Sequence, residues 1–174
     1  LTIEVKALNS KGVVLNKAYF PTKIGDDFVV LTAVQFSKSG DFLLDFEVGR
    51  SLKFKRSFVL FDKQGSEVSR FETDGVASKL LSNLDVLVLE MNSDRFFIYD
   101  KNGRAKYEER DCERIAITPD EEWLFRMNQS GEVFVSKYED PGKRALFQKL
   151  DIGDGYIPVL TAFDGNNIVI KQDR

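Results

Sequence analysis

Carboxylates are the only common acid–base side chains in this sequence, because its 174 residues include no histidine. Histidine is the most frequent general base and a frequent zinc ligand, so the usual nucleophile–histidine systems and the usual zinc sites are excluded. Asp151, Asp154 and Asp164 lie close to glycines near the end of the sequence, where such oxygens could bind a hard cation. Aspartate beside glycine is also typical of turns, and the spacing does not match a calcium loop. We therefore predict neither a catalytic residue nor a metal site.

The densest positive segment begins at Arg50 and ends at Arg56. Together with Lys53 and Lys55, these residues could hold an acidic group, and Phe54 could stack on a flat one. An exposed loop that continues into a strand would show the same pattern. The formal net charge of −3 argues against nucleic acid as the partner. We expect the segment to bind a protein, for which an acidic surface is one candidate.

Other kinds of site find no support in the sequence. Cys112 is the single cysteine, and its neighbours Asp111 and Glu113 disfavour the reactive thiolate. There is no phosphate-binding glycine loop and no dinucleotide fingerprint, so no cofactor is expected. The apolar runs are too short to cross a bilayer, and no membrane insertion is predicted.

A polar turn ending in glycine recurs along the chain. Its copies are Asn9-Ser10-Lys11-Gly12, Asp62-Lys63-Gln64-Gly65, Asp100-Lys101-Asn102-Gly103 and Glu139-Asp140-Pro141-Gly142. The last three are about 40 residues apart, a period typical of repeat proteins. Aspartate in the first position and glycine in the last favour a type I turn in a hairpin, so we predict a structural role for these residues.

Short apolar strands on either side of these turns complete a repeated unit of four strands. The full copies cover residues 29–71, 76–109 and 114–150, and the fifteen phenylalanines also favour sheet. Residues 2–20 correspond to the second half of a unit, and residues 159–171 to the first half. Four short strands within about 40 residues are typical of a propeller blade.

In this pattern nearly the whole chain resembles the WD-repeat and related β-propeller proteins, although the Gly-His and Trp-Asp dipeptides of true WD repeats are absent. The resemblance implies an all-β fold: a single β-propeller-like domain of residues 1–174, with about four blades of four antiparallel strands. The N-terminal strands would close the last blade and remove its exposed edge. A partial propeller and a β-sandwich are the alternatives.

In such a fold the loops before each unit and the loops between its second and third strands lie on one face. This places Asp26, Asp27 and Asp74 beside the basic segment of residues 50–56, and adds Asp154 and Tyr156 as candidate binding residues. The resemblance implies a non-enzymatic protein-interaction or scaffold module. The alternative is a carboxylate-based hydrolase or lyase, or an ion- or ligand-binding domain, with its site at the ring axis.

Overall fold

The structure is a computed structural model and describes residues 1–8, 11–50, 53–90, 93–151, 158–162 and 168–172. All regular elements of this part of the chain are β-strands, which confirms the predicted all-β class, and no helix in it could cross a membrane. The strands are β1 (Thr2–Leu8), β2 (Val14–Pro21), β3 (Lys23–Ile24), β4 (Asp27–Phe36), β5 (Phe42–Arg50), β6 (Lys53–Phe61), β7 (Glu67–Thr73), β8 (Val76–Leu80), β9 (Val86–Glu90), β10 (Arg95–Tyr99), β11 (Ala105–Arg110), β12 (Arg114–Ile117), β13 (Trp123–Met127), β14 (Glu132–Lys137), β15 (Ala145–Lys149), β16 (Pro158–Ala162) and β17 (Ile168–Gln172).

Three sheets correspond to the three full units that the sequence predicts. Strands β4 to β7 form the first, with the short β3 added at its edge, strands β8 to β11 form the second, and strands β12 to β15 form the third. In each sheet neighbouring strands follow one another in the chain, and the pairing in the first and third sheets is antiparallel. These are blade-like sheets, and the predicted four-stranded repeat is confirmed for them.

The second strand of each sheet is its most deeply buried element. Burial covers Phe42–Phe46 of β5, the whole of β9, and Leu124–Met127 of β13. The fourth strands β11 and β15 are instead mostly exposed. A strand packed on both faces needs apolar residues at consecutive positions, whereas an edge strand tolerates charge. This gradient explains why the second strands read as continuous apolar runs.

The turns between the third and fourth strands share one hydrogen-bonding pattern in the first two sheets. The Asp62 carboxylate accepts the backbone N–H groups of Gln64 and Ser66, each at 2.9 Å. The Asp100 carboxylate accepts those of Asn102 and Arg104, at 2.8 and 2.9 Å. The glycines that follow, Gly65 and Gly103, have φ of 83° and 74°, values that favour glycine. The structural role predicted for this motif is confirmed in both copies.

The predicted copy at residues 139–142 is wrong. Its turn instead has the Lys143 N–H donating to the Asp140 carbonyl at 3.1 Å, and Gly142 does not have a positive φ. The same motif occurs one hairpin earlier, where the Asn128 side chain accepts the Glu132 N–H at 2.9 Å and Gly131 has φ of 77°. An asparagine oxygen serves as well as a carboxylate oxygen here, so the motif lies between the second and third strands of this sheet.

The described chain divides into two compact units, residues 1–88 with 98–106 and residues 89–97 with 107–174. In the first, the β1–β2 hairpin packs through Phe20 against Phe46 and Phe61 of the first sheet. In the second, Leu160 and Ala162 of β16 pack with the buried Phe125 of the third sheet. Each core joins a hairpin to the face of a four-stranded sheet, and the single domain remains a prediction.

The two end segments form the hairpins that the sequence predicts. β1 pairs with β2 from Thr2 opposite Pro21 onwards, and β16 pairs with β17 from Pro158 opposite Gln172 onwards. The two hairpins are separate two-stranded sheets among the described residues. A fourth blade made from both ends therefore remains a prediction.

Candidate functional site

The first compact unit has a groove at the end of its five-stranded sheet, which we name the loop groove. Its cavity measures about 990 Å³. Its charged and larger apolar lining residues are Ile24, Asp27, Val48, Arg50, Phe54, Lys55, Glu72 and Asp74. They come from the β3–β4 turn, the β5–β6 hairpin and the end of β7. Loops before the sheet, within it and after it thus meet on one face, as the sequence predicts.

Strand register explains which members of the basic segment reach the groove. β5 pairs with β6 with Gly49 opposite Phe54 and Val48 opposite Lys55. Successive side chains of a strand point to opposite faces, so Lys55 and Arg56 point apart. Lys55 lines the groove and Arg56 does not. The backbone of Lys53 begins β6, and its side chain is outside the described part of the structure.

Both cations that line the groove form ion pairs with acidic side chains. Arg50 Nη1 lies 3.3 Å from Asp26 Oδ2, and Lys55 Nζ lies 3.8 Å from Glu72 Oε2. All four side chains are more than half exposed, so each pair is weak and exchanges readily with solvent or a ligand. The groove is consequently a surface of mixed charge, in contrast to the positive patch that the sequence suggests.

Apolar side chains are exposed beside these charges. Ile24 is 56% exposed and Phe54 is 48% exposed. Gly49 also lines the groove and stands opposite Phe54 in the neighbouring strand. A phenylalanine next to a glycine presents more of its ring than one packed among larger neighbours. These two side chains can therefore act as apolar anchors for a partner.

Arg56 belongs to a buried ion-pair cluster of the first sheet. Its guanidinium lies 3.5 Å from Asp45 and 3.4 Å from Glu47, and it donates a hydrogen bond of 2.6 Å to Thr32 Oγ1. The Asp45 side chain is only 2% exposed. Burial raises the pKa of Asp45, and the charge of Arg56 opposes that rise. Arg56 therefore neutralises an acid of the core, and the structure does not bring it together with Arg50 and Lys55.

Two of the predicted binding residues, Asp154 and Tyr156, lie outside the described residues. Asp151 is described and exposed. Among the described ranges of the chain, no three acidic or cysteine side chains are grouped so that they could hold a metal ion. Sequence reasoning placed Asp26, Asp27 and Asp74 on this face but missed Ile24 and Glu72. Glu72 stands opposite Ser57 across the β6–β7 pair, a position that only the register reveals.

Cys112 is inert in the second unit, as its acidic neighbours predict. It is 1% exposed, and burial followed by the charge of Glu109 raises the pKa of its thiol to about 12. Nearby, the fully buried Arg126 forms an ion pair with Glu109, which also pairs with Arg144. A buried charge with these partners specifies packing within the unit. We assign no chemistry to it.

No model of a protein family matches the sequence, and no curated protein is similar to it. Three solved structures show weak similarity. BamB from Moraxella catarrhalis has a TM-score of 0.49 and 15% identity, over 77% of this chain and 40% of that one. Hsv2 from Kluyvelomyces marxianus has a TM-score of 0.40 and 12% identity, over 82% and 73%. KlHsv2 with loop 6CD replaced by a Gly-Ser linker has a TM-score of 0.43 and 10% identity, over 93% and 66%. The chain thus spans less than half of BamB, and the fold described above is defined by its own sheets.

Proposed function

We propose that this protein is a non-enzymatic interaction module that binds a partner protein in the loop groove. The observation that carries the proposal is the groove itself, which combines the exposed anchors Ile24 and Phe54 with charged side chains from three different loops. Aromatic anchors surrounded by polar residues are typical of protein interfaces. Loops fixed by a rigid sheet are also the usual place for binding residues.

The weak ion pairs of the groove favour a polar macromolecule over a small apolar ligand. Arg50 and Lys55 can leave Asp26 and Glu72 at little cost, because exposed pairs contribute at most about 1 kcal/mol. A partner can therefore replace these contacts with its own. The basic segment alone does not specify an acidic partner, since both of its described groove cations already face carboxylates.

We further propose that the chain is a small β-propeller in which β16–β17 and β1–β2 together form a fourth blade. In the first unit, β1 pairs with β2 along one edge only. Beside it lies a cleft of about 400 Å³ whose lining includes Leu8, Val34 and Phe36. These three side chains are 55%, 45% and 66% exposed. An added strand pair would cover this apolar surface and complete the hydrogen bonding of β1.

Hydrogen exchange tests the fourth blade without removing any part of the core. If β17 pairs with β1, the backbone amides of β1 that point away from β2 should exchange slowly in NMR spectra. The amides of β1 that point towards β2 provide the internal reference. Fast exchange at the outward amides would contradict the closed propeller.

Site-specific photo-crosslinking tests the proposed function. The photoreactive residue p-benzoylphenylalanine replaces Phe54 in one variant and Leu146 in the other. Leu146 is a matched control, because it is 58% exposed and lies on β15 in the second unit. The variants are irradiated in extracts of the source cells, and the adducts are identified by mass spectrometry. We expect a defined protein adduct at position 54 and none of that identity at position 146.

Competition distinguishes a specific partner from chance contact. Excess unlabelled protein should suppress the adduct, whereas excess Phe54→Ser protein should suppress it poorly because its apolar anchor is missing. Equal adducts at both positions, or equal competition by both proteins, would overturn the assignment of the loop groove as the binding site.

A further inference from the structure

We infer that the loop groove selects a cationic partner segment, one in which lysine or arginine flanks an apolar side chain. The inference rests on the proposed use of the groove and specifies the chemistry of its partner. It reverses the expectation that the basic segment alone suggests.

The charge balance of the groove carries the inference. The two lining cations, Arg50 and Lys55, are paired with Asp26 and Glu72. Two further lining acids, Asp27 and Asp74, form no ion pair with any described residue. Asp74 is exposed and Asp27 is half-buried, so a ligand can reach both. The charge left after internal pairing is therefore negative, and complementary charge favours a cation.

The positions of these acids limit how a partner can lie. Asp27 stands opposite Ile24 in the β3–β4 pair, on one side of the groove. Asp74 directly follows β7, the last strand of the sheet. Strands β5 and β6, with Gly49 and Phe54, lie between these two sides in the sheet order. Neighbouring strands are about 4.8 Å apart, so the two sides are roughly 14 Å apart.

An extended peptide can span this distance with two cations and one apolar residue between them. Successive residues of an extended chain are about 3.3 Å apart, and lysine side chains reach several ångströms further. The central side chain would contact Phe54 over Gly49, where no side chain of the protein stands in the way. An acidic peptide would instead place its carboxylates against Asp27 and Asp74.

Fluorescence anisotropy with two short probes tests the inference. The probes are fluorescein-labelled Gly-Lys-Phe-Lys-Gly and its counterpart Gly-Glu-Phe-Glu-Gly. We expect the lysine probe to bind more tightly than the glutamate probe at low salt, and its binding to weaken at 300 mM salt because the charges are exposed. The double variant D27N/D74N should weaken lysine-probe binding about fivefold, as expected for two lost surface ion pairs.

A control variant separates the groove from the net charge of the protein. E139Q/D140N removes the same two charges from an exposed turn of the second unit, and it should change binding less than about twofold. Arg50→Ala should tighten lysine-probe binding, because it frees Asp26. Tighter binding of the glutamate probe, no binding of the lysine probe, or equal effects of the two double variants would overturn the inference. The adduct at position 54 would persist in that case, so the proposed function is tested separately.

Discussion

Replacing Arg56 with methionine should destabilise the protein far more than replacing Arg50 with methionine. Both residues belong to the same basic segment, and methionine keeps much of the length of either side chain. Arg56 is 21% exposed and faces the buried Asp45, whereas Arg50 is 64% exposed and faces the exposed Asp26. The comparison therefore tests whether burial of the partner acid separates a structural arginine from a surface arginine.

The size of the effect follows from the acid that is left behind. Breaking a buried pair by removing one partner costs about 3–5 kcal/mol. Because the Arg56 guanidinium is partly exposed, water can reach the vacated position, and we expect about 2–3 kcal/mol for Arg56→Met. Arg50→Met removes an exposed pair and should change stability by less than about 0.5 kcal/mol. Urea unfolding at pH 7, followed by circular dichroism, measures both.

The pH dependence identifies Asp45 as the cause. Burial already raises the folded-state pKa of Asp45, and loss of Arg56 should raise that pKa further. An acid with a raised folded-state pKa destabilises the fold when it is ionised, and this penalty disappears as the pH falls through that pKa. The stability gap between wild type and Arg56→Met should therefore narrow on acidification, and Asp45→Asn should recover part of the loss at pH 7. Equal losses for the two arginine variants, or a gap independent of pH, would refute this reasoning.

Three further predictions concern turns and the thiol. Gly103→Ala should cost about 1–3 kcal/mol more than Gly12→Ala in urea unfolding, because both glycines have positive φ but a Cβ at Gly103 alone would lie 2.5 Å from the Cβ of Phe71; equal costs would contradict the close contact. Backbone hydrogen bonds lower the pKa of Asp100, so the stability lost in Asp100→Ala should be present at neutral pH and vanish as the pH falls through that pKa, and a constant loss would be inconsistent with it. Cys112, with its raised pKa, should resist iodoacetamide at pH 8 in the folded protein and react in urea, and rapid labelling of the folded protein would show that it is accessible.

The repeat could be predicted from the sequence because its signals are local. An aspartate that accepts two backbone amides and a glycine with positive φ lie within four residues of each other, and both copies at Asp62 and Asp100 follow this pattern. The error at residues 139–142 has the same origin. Asp, Pro and Gly each favour turns in several geometries, so their presence does not identify which turn forms.

The location of the site could be predicted, but the distribution of its charges could not. Strands that alternate in direction bring their connecting loops to shared ends, which places Asp27 and Asp74 near the basic segment. The separate environments of Lys55 and Arg56 depend on pairing across strands. Arg56 contacts Asp45 eleven positions earlier, and Lys55 contacts Glu72 further along the chain. Such partners become visible only when the register of neighbouring strands is known.

An NMR titration with the lysine probe tests the central claim most directly. Unlabelled Gly-Lys-Phe-Lys-Gly is added to ¹⁵N-labelled protein, and amide shifts are followed residue by residue. If the loop groove is the binding surface, the saturable shifts will concentrate in residues 24–27, 48–57 and 72–74, and the D27N/D74N variant will lose most of them. Shifts of equal size on β15, or saturable binding that leaves these three segments unchanged, would contradict the assignment.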